Sequence, residues 1–369
     1  MSDNPKEAEE KMEKAIFISA DCWLEVFDLL APSQLGLGIA LISHRFDCYV
    51  DEHFKTRKWA LGVIRIGSKI DGNGTKELEI ANYDGKPLPM PKVQLRRKVT
   101  GFQHIEISYI DKNAIAFLHN FRPFFASSAI NFGIYTMMNN DSILEFILRN
   151  IWPMIARNIC WMDLSADEFH RMRKFVPAIL NDCPLLRVVF FYMAVDFFTE
   201  FPVDDSAMAS DGQAMAKWLF TPLPDDVPKV FNCGLKEYDG SWPLKIEAFK
   251  AAFANASSSP VNFIVVIWCS PSFADFVVPF DLTNELTRQQ LVLKTTDEYS
   301  NSDDYSTCFL LVRCPIVRDA NKWAKWEKEA MESWQMIDHK LNKINIQFVE
   351  DDDIEDGLLN AMIGPSVCC

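Results

Sequence analysis

The chain has 369 residues, of which 49% are hydrophobic and 24% are charged, and its formal net charge is −14 with a pI of about 4.9. A chain with this length and apolar content can bury a large core, which excludes a wholly disordered protein. An acidic surface repels phosphate groups and anionic lipid headgroups, so direct binding to nucleic acid or to a membrane is disfavoured.

The composition of the N-terminus and the spacing of the cysteines indicate the cellular compartment of the protein. Residues 1–15 form a charged tail that lacks the apolar core of a secretory signal, and no apolar run approaches the roughly 20 residues of a membrane-spanning helix. The ten cysteines include no C-x-x-C pair and no zinc-finger spacing, and several lie in apolar runs, as Cys160 and Cys269 do. Reduced buried thiols are therefore favoured over disulfides, which predicts a soluble protein of the cytoplasm or nucleus.

Residues 16–59 contain three short segments with helical apolar spacing. The first predicted helix has one apolar face, formed by Trp23, Val26, Phe27 and Leu30. Asp21 is predicted to cap this helix at its N-terminus. Pro32 blocks its continuation, and Ser33 is predicted to cap the second helix.

The second and third segments continue the helical pattern. The second predicted helix has two apolar faces, Leu35, Ile39 and Ile42 on one and Leu37 and Leu41 on the other. Gly36 and Gly38 each cost this helix about 1 kcal/mol relative to alanine, so packing must hold it. The third segment has one common side, formed by Phe46, Val50, His53 and Arg57. Helices this apolar need a covering surface, which is either the rest of the chain or another protein.

This segment resembles an F-box, the helical module that docks substrate receptors onto Skp-type adaptors of cullin ubiquitin ligases. The similarity lies in the Trp/Leu/Phe helix, the proline turn, the Leu-rich helix and the sequence ISHRF at 42–46, which is similar to the family's V-S-[RK]-x-[FW]. The chain has ISAD at 18–21 where the family has Leu-Pro-x-Glu. The resemblance implies an adaptor contact formed by Ile18, Trp23, Leu24, Phe27, Leu30, Leu35, Leu37, Ile39, Leu41, Ser43, Phe46 and Val50.

Residues 60–100 are predicted to form a hairpin and a connector. Apolar runs on both sides of DGNG at 71–74 are typical of two strands joined by a tight turn. The sequence KPLPMPKV at 86–93 contains three prolines, so it is predicted to be extended and to mark a boundary between modules.

In residues 101–349, strand-like segments alternate with helical patterns. The first four predicted strands lie about 28 residues apart and are HIEISYI at 104–110, INFGIY at 130–135, NICWMD at 158–163 and LRVVFF at 186–191. This period is typical of an irregular leucine-rich-repeat-like body, and a generic α/β domain is the alternative. After the acidic loop at 199–212 the spacing loosens, with later strands around Phe231, Ile264 and Val292.

The last part of the chain contains three predicted strands, LVLKTT, CFLLVRC and KINIQF, with a helix between the last two. That helix carries a stripe predicted to lie in the core, formed by Trp323, Trp326, Ala330 and Trp334. Residues 350–369 are acidic and predicted to be disordered. Their terminal Cys368-Cys369 resembles a geranylgeranyl-transfer substrate, but it is not a C-a-a-X box and no GTPase motif accompanies it.

The predicted fold is therefore a mixed α+β or α/β chain, in which a small helical F-box-like module precedes a β–α repeat body. No phosphate loop, nucleophile elbow or H-E-x-x-H motif occurs, and the six histidines are isolated, so no catalytic residue, metal ligand or cofactor is predicted. The resemblance implies a non-catalytic receptor that binds a Skp-type adaptor, through it a cullin, and a target protein of unknown identity. The alternative is an interaction scaffold that uses the helical module as a cap or for another partner.

Overall fold

The computed structural model describes most of the chain. The described residues are 18–30, 32–54, 59–60, 62–70, 72–73, 76–82, 85–88, 99–135, 141–191, 197–235, 240–257, 260–296, 307–332 and 343–349. The two predicted tails, residues 1–15 and 350–369, lie outside these ranges, as do Arg57, Trp334 and most of the proline-rich connector.

The three N-terminal segments are helical. Their elements are α1 (Ala20–Phe27), α2 (Pro32–Gln34), a π-helical turn (Leu35–Ile39), α3 (Ala40–Ile42) and α4 (His44–Phe54). Two predicted caps are wrong. Ser19 caps α1, since its Oγ accepts a hydrogen bond from the Cys22 N–H at 3.3 Å, and Asp21 lies in the first turn. Ser33 lies inside α2, because Pro32 already occupies the first helical position, where its missing N–H costs nothing.

The side chains that hold these helices together are fully buried. Phe27, Leu35, Val50 and Phe54 have no exposed surface. They belong to one continuous apolar cluster that also contains strand residues of the sheet described next, such as Ile64. The N-terminal helices therefore share a core with the rest of the chain.

The strands form one large sheet and one small one. Their bounds are β1 (Trp59–Ala60), β2 (Val63–Ile70), β3 (Lys76–Asn82), β4 (Val99–Gly101), β5 (His104–Ile107), β6 (Ala129–Tyr135), β7 (Ile159–Leu164), β8 (Val188–Phe191), β9 (Lys229–Leu235), β10 (Phe263–Cys269), β11 (Phe280–Asn284), β12 (Gln289–Thr296), β13 (Thr307–Pro315) and β14 (Lys343–Val349). In the described residues, the large sheet has twelve strands in the order β11-β12-β13-β10-β9-β8-β7-β6-β14-β5-β2-β3, and β1 pairs with β4.

The sheet is mostly parallel. Strands β6 to β10 are parallel neighbours in chain order, so each predicted strand of this stretch lies beside the next one. The hairpin predicted around residues 71–74 is confirmed, because β2 and β3 pair antiparallel. Two features differ from a simple stack of repeats: β14 inserts between β5 and β6, and Val292 lies in β12, which is antiparallel to both of its neighbours.

The helices that follow connect these strands. Their bounds are α5 (Lys112–Asn120), α6 (Arg122–Ser127), α7 (Asp141–Asn150), α8 (Trp152–Ile155), a 3₁₀ turn (Ala156–Asn158), α9 (Ala166–Phe175), α10 (Asp211–Phe220), α11 (Trp242–Ala254), α12 (Pro271–Ala274) and α13 (Ala320–Met331). The fold is thus mixed α/β, as predicted. No helix in the described ranges is both long and apolar enough to cross a bilayer.

The two faces of the sheet are covered unequally. Side chains alternate along each strand, and one set packs in a large cluster with residues from α5 to α12. The other set forms a small cluster only at the β10–β13 end, beneath α13, where Trp323 is buried as predicted and Trp326 is half-buried. From β5 to β8, no helix among the described residues packs in an apolar cluster on this second face, which we call the helix-free face; Val230 of β9 lies at the edge of the α13 cluster.

The eight cysteines in the described part of the chain are all free thiols. Five of them are buried, and burial raises the pKa of Cys269 to about 12 and the pKa of Cys308 to about 11. Such thiols stay protonated and unreactive at neutral pH.

The burial of Phe27 leads to a prediction about the stability of the fold. Phe27→Ala is expected to lower the free energy of unfolding by about 3–5 kcal/mol, because it removes a ring without exposed surface and leaves a cavity. Leu29, which is 85% exposed just after the same helix, provides the control, and Leu29→Ala should stay within about 0.5 kcal/mol of the unchanged protein. Urea unfolding followed by circular dichroism measures both, and equal effects would contradict this packing.

Candidate functional site

Exposed apolar side chains are concentrated in the N-terminal helical segment. Of the fifteen large hydrophobic residues exposed in the described ranges, five lie between residues 18 and 42. They are Ile18, Val26, Leu29, Leu41 and Ile42. Leu29 and Ile42 are the most exposed of them, at 85% and 63%. We call these five residues the apolar module surface.

The residues predicted to contact an adaptor fall into three groups. Phe27, Leu35 and Val50 are fully buried. Five more are half-buried against the same core, namely Trp23, Leu24, Leu30, Ile39 and Phe46. Ile18, Leu41 and Ser43 are exposed. Leu37 lies in the π-helical turn, and its side chain is outside the described part of the structure.

The sequence at 42–46 has a structural role that explains its residue types. Ser43 is extended and its Oγ accepts from the Phe46 N–H at 3.4 Å, which caps α4. The Phe46 ring meets the Trp23 ring edge-on, with centroids 4.8 Å apart. Arg45 donates to the Ile18 carbonyl at 3.1 Å. These contacts fix the start of α4 against the start of α1.

A second candidate surface lies on the helix-free face of the sheet. A row of residues in register crosses five strands from β14 to β9, formed by Gln347, Gly133, Asp163, Phe190 and Asn232. The adjacent row is formed by Asn345, Asn131, Trp161, Val188 and Val230. Amide, carboxyl and aromatic groups here occupy positions that the opposite face fills with aliphatic and aromatic core residues.

These rows contain a small hollow, which we call the Asp163 hollow; the space that a water-sized group can occupy in it is about 10 Å³. It is lined by Asn131, Phe132, Gly133, Tyr135, Trp161, Asp163, Asn345 and Gln347. The Tyr135 hydroxyl donates to Asp163 Oδ2 at 2.5 Å. Gly133 makes this possible, because a Cβ at that position would lie 2.8 Å from Cε2 of the Tyr135 ring.

Two buried polar atoms in the hollow are without a partner. Asp163 Oδ1 and Trp161 Nε1 form no hydrogen bond within the described structure. Leaving a buried polar group unpaired costs about 1–3 kcal/mol, and more for a charged one. The lining of the hollow therefore contains one buried donor and one buried acceptor whose hydrogen bonds are not made within the described structure.

The charge on Asp163 is also uncompensated. Burial raises its pKa to about 7; the Tyr135 hydrogen bond opposes this shift, and the nearby Glu168 carboxyl adds to it. Glu168 itself is buried, and it accepts from the Ser165 N–H at 2.7 Å in the capping box of α9. No basic side chain in the described ranges forms an ion pair with Asp163.

Two other buried charges, by contrast, have partners that explain them. Lys229 donates to the carbonyls of Trp218 and Thr221, where it caps the C-terminus of α10. Arg313 donates to Gln289 Oε1 at 2.8 Å, and its guanidinium lies over two phenylalanine rings. In the part of the chain that the structure covers, no group of three His, Cys, Asp or Glu residues is placed to hold a metal ion.

The sequence interpretation missed the Asp163 hollow. Its signal was the polar residue Asp163 within the otherwise apolar β7, and the alternation of polar residues such as Asn345 and Gln347 with apolar ones in β14. Such a residue indicates that one face of the strand is not covered by a helix. Which strands then become neighbours depends on contacts between residues far apart in sequence.

The raised pKa of Asp163 leads to a prediction about how the free energy of unfolding depends on pH. Its pKa of about 7 lies above its ordinary value of 3.8, so between these pH values the folded chain keeps a proton that the unfolded chain has released. The contribution of this group to stability is therefore greatest below pH 4 and falls as pH rises to 7, by at most about 4 kcal/mol. Relative to the unchanged protein, Asp163→Asn should gain at least about 2 kcal/mol between pH 5 and pH 8. Urea unfolding at both pH values measures this, with Asp275→Asn, an exposed carboxylate, as the control. The same gain in both variants would contradict the assignment.

Comparison with protein families, with curated proteins and with solved structures finds no match to this chain. The case for a function therefore rests on the two surfaces just described, the apolar module surface and the helix-free face with its hollow.

Proposed function

We propose that the chain is a substrate-recognition subunit of a Skp–cullin–F-box ubiquitin ligase. The N-terminal helices bind a Skp-type adaptor and, through it, a cullin. The body of the chain binds a target protein. One observation carries the proposal: the apolar module surface lies on the helices whose sequence resembles an F-box.

The burial pattern separates residues that support the helices from residues that a partner can reach, and the second group includes Leu29 and Ile42, which were not among the predicted adaptor contacts. Phe27, Leu35 and Val50 hold the helices in place and have no surface to offer a partner. Leu29 and Ile42 are exposed, and covering a side chain of this kind contributes about 1.5–3 kcal/mol. A few such anchors, with neighbours that exclude water, supply most of the affinity of a protein interface.

The body supports the second half of the proposal. Strands β6 to β10 follow one another in the sheet as the strands of an irregular leucine-rich-repeat-like body do. The helix-free face, rich in polar and aromatic groups, is the surface for the target protein. The receptor acts without chemistry of its own, because it raises the effective concentration of the target near the ubiquitin-carrying enzyme. We place this activity in the cytoplasm or nucleus.

A second candidate function has its own supporting observation. Phe27 and Leu35 are buried in the same cluster as Ile64 of the sheet. The helices can therefore serve as a cap on the body of an interaction scaffold that belongs to no ligase. Binding experiments with exposed residues distinguish the two functions, whereas changes to the buried residues would unfold the helices in either case.

The proposal predicts that Leu29→Arg combined with Ile42→Arg lowers co-purification of a Skp-type adaptor and cullin from cell extract by at least about tenfold, because two charges enter an apolar contact. The matched control is Val278→Arg combined with Leu286→Arg, two residues of the body that are 73% and 83% exposed. The control variant should recover the adaptor normally, and both variants should keep the melting temperature of the unchanged protein.

Undiminished adaptor recovery by the Leu29/Ile42 variant would overturn the assigned surface. Failure of the unchanged protein to recover any adaptor would overturn the ligase function and favour the scaffold.

A further inference from the structure

The two outer edges of the large sheet differ in how they end. Beyond β3 the chain covers its own edge, because the Leu88 N–H donates to the Ile80 carbonyl at 2.7 Å and Pro87 forms a bridge with Ala81. Beyond β11, in the part of the chain that the structure covers, no strand pairs and no further backbone hydrogen bond is made by Phe280–Asn284. Alternate residues of an edge strand direct their N–H and C=O groups outward, so β11 is open to another strand.

Strand β11 lacks most features that protect such an edge. Its register with β12 is regular from Phe280 to Asn284, so no bulge twists it away, and Asp281 is its one charged residue. The strand is also held firmly. Asn284 Nδ2 donates to the Phe253 carbonyl at 2.8 Å, and Lys250 Nζ lies 4.4 Å from the centre of the Phe280 ring. An ordered edge of this kind is ready to pair with another chain.

We propose that β11 pairs antiparallel with β11 of a second copy of this chain, so that the two large sheets join across a twofold axis. This inference does not rest on the proposed function. The faces that pack against α5 to α12 must lie on the same side in both copies. Because side chains alternate along a strand, opposite residues are then both odd-numbered or both even-numbered. One residue of β11 therefore lies on the axis, opposite its own copy.

Overlap and charge select that residue. Registers that overlap at least three residues of both strands have Asp281, Leu282 or Thr283 on the axis, and with Leu282 there all five residues overlap. With Asp281 on the axis, this carboxylate lies opposite its own copy. With Thr283 on the axis, Asp281 lies opposite Glu285, so both registers place like charges together, which is destabilising. With Leu282 on the axis, Asp281 lies opposite Thr283, whose hydroxyl can donate to the carboxylate.

The exposed apolar residues on both sides of β11 support the same register. Val278 and Leu286 are 73% and 83% exposed, and each lies four positions from Leu282. In the proposed register Val278 of one copy is therefore level with Leu286 of the other, at both ends of the paired strands. Covering these side chains is favourable. The paired strands are short, so the dimer is expected to be weak, with a dissociation constant on the order of 10–100 µM.

The charge of the chain sets how the dimer responds to salt. Each copy has a formal net charge of −14, so the copies repel each other, and salt screens this repulsion. The dissociation constant should therefore fall as the NaCl concentration rises from about 0.05 M to about 0.5 M. In the dimer the helix-free faces of both copies lie on the same side of the joined sheet.

Sedimentation equilibrium of the full chain between about 5 and about 300 µM measures the dissociation constant. Thr283→Asp places a second carboxylate opposite Asp281, twice in each dimer, and should weaken association by at least about tenfold. Thr283→Lys places an opposite charge there and should strengthen association. The matched controls are Met208→Asp and Met208→Lys, which make the same charge changes at a residue that is 94% exposed in the loop before α10. They should change the constant by less than about threefold.

A chain that stays monomeric at about 300 µM in about 0.5 M NaCl would overturn the dimer. Thr283 variants that shift the constant in the same direction, or that act no differently from the Met208 variants, would overturn the register. All four variants should keep the melting temperature of the unchanged protein, because both positions are exposed. The Val278/Leu286 variant should lose the dimer and still recover the Skp-type adaptor, and the Leu29/Ile42 variant should do the reverse. Failure of the dimer and failure of the ligase function are therefore distinguishable.

Discussion

The alternation of side chains along β6 to β10, combined with the order of these strands, determines which face of the sheet the helices cover. Parallel neighbours need a crossover, and crossovers of one hand that advance in one direction return every helix to the same face. The helices between these strands, α7 to α11, all pack in the same large cluster. The opposite face is therefore left without a helix until α13 covers its far end. Its polar and aromatic residues are a consequence of this arrangement, because they need no apolar cover.

The N-terminal helices show why apolar spacing alone does not identify a contact. Val26 and Phe27 are adjacent and both apolar, but Val26 is 42% exposed and Phe27 is fully buried. Helical spacing predicts that a face is apolar, and it does not state whether the chain itself or a partner covers it. The structure gives the burial of the described residues: Phe27, Leu35 and Val50, which were predicted contacts, have no exposed surface, whereas Leu29 and Ile42, which were not, are exposed.

Local sequence signals predicted the local structure. The hairpin at 71–74, the strands β5 to β8 and the helices of the N-terminal segment follow from turn residues and periodicity, which depend on near neighbours. The predicted N-cap of α1 was wrong because two nearby polar residues, Ser19 and Asp21, can both cap a helix, and Ser19 does so. The insertion of β14 could not be predicted, because its register is set by contacts such as Asn131 Nδ2 to Asn345 Oδ1 at 2.7 Å, which joins residues 214 positions apart. The candidate hollow depends on this same insertion.

The hydrogen bonding of the buried charged groups distinguishes the helix-free face from the rest of the sheet. Lys229 and Arg313 are buried with hydrogen-bond acceptors around them, so their charges are part of the packing. Asp163 is buried with one oxygen unpaired, a second carboxyl nearby and a glycine that leaves room for the Tyr135 ring. A leucine or valine would fill this position in β7 at lower cost to stability. Destabilising groups that a fold retains are typical of binding sites, where a partner supplies the missing interaction. The sheet thus keeps at Asp163 a buried carboxyl whose electrostatic cost is relieved by protonation as the pH falls below about 7.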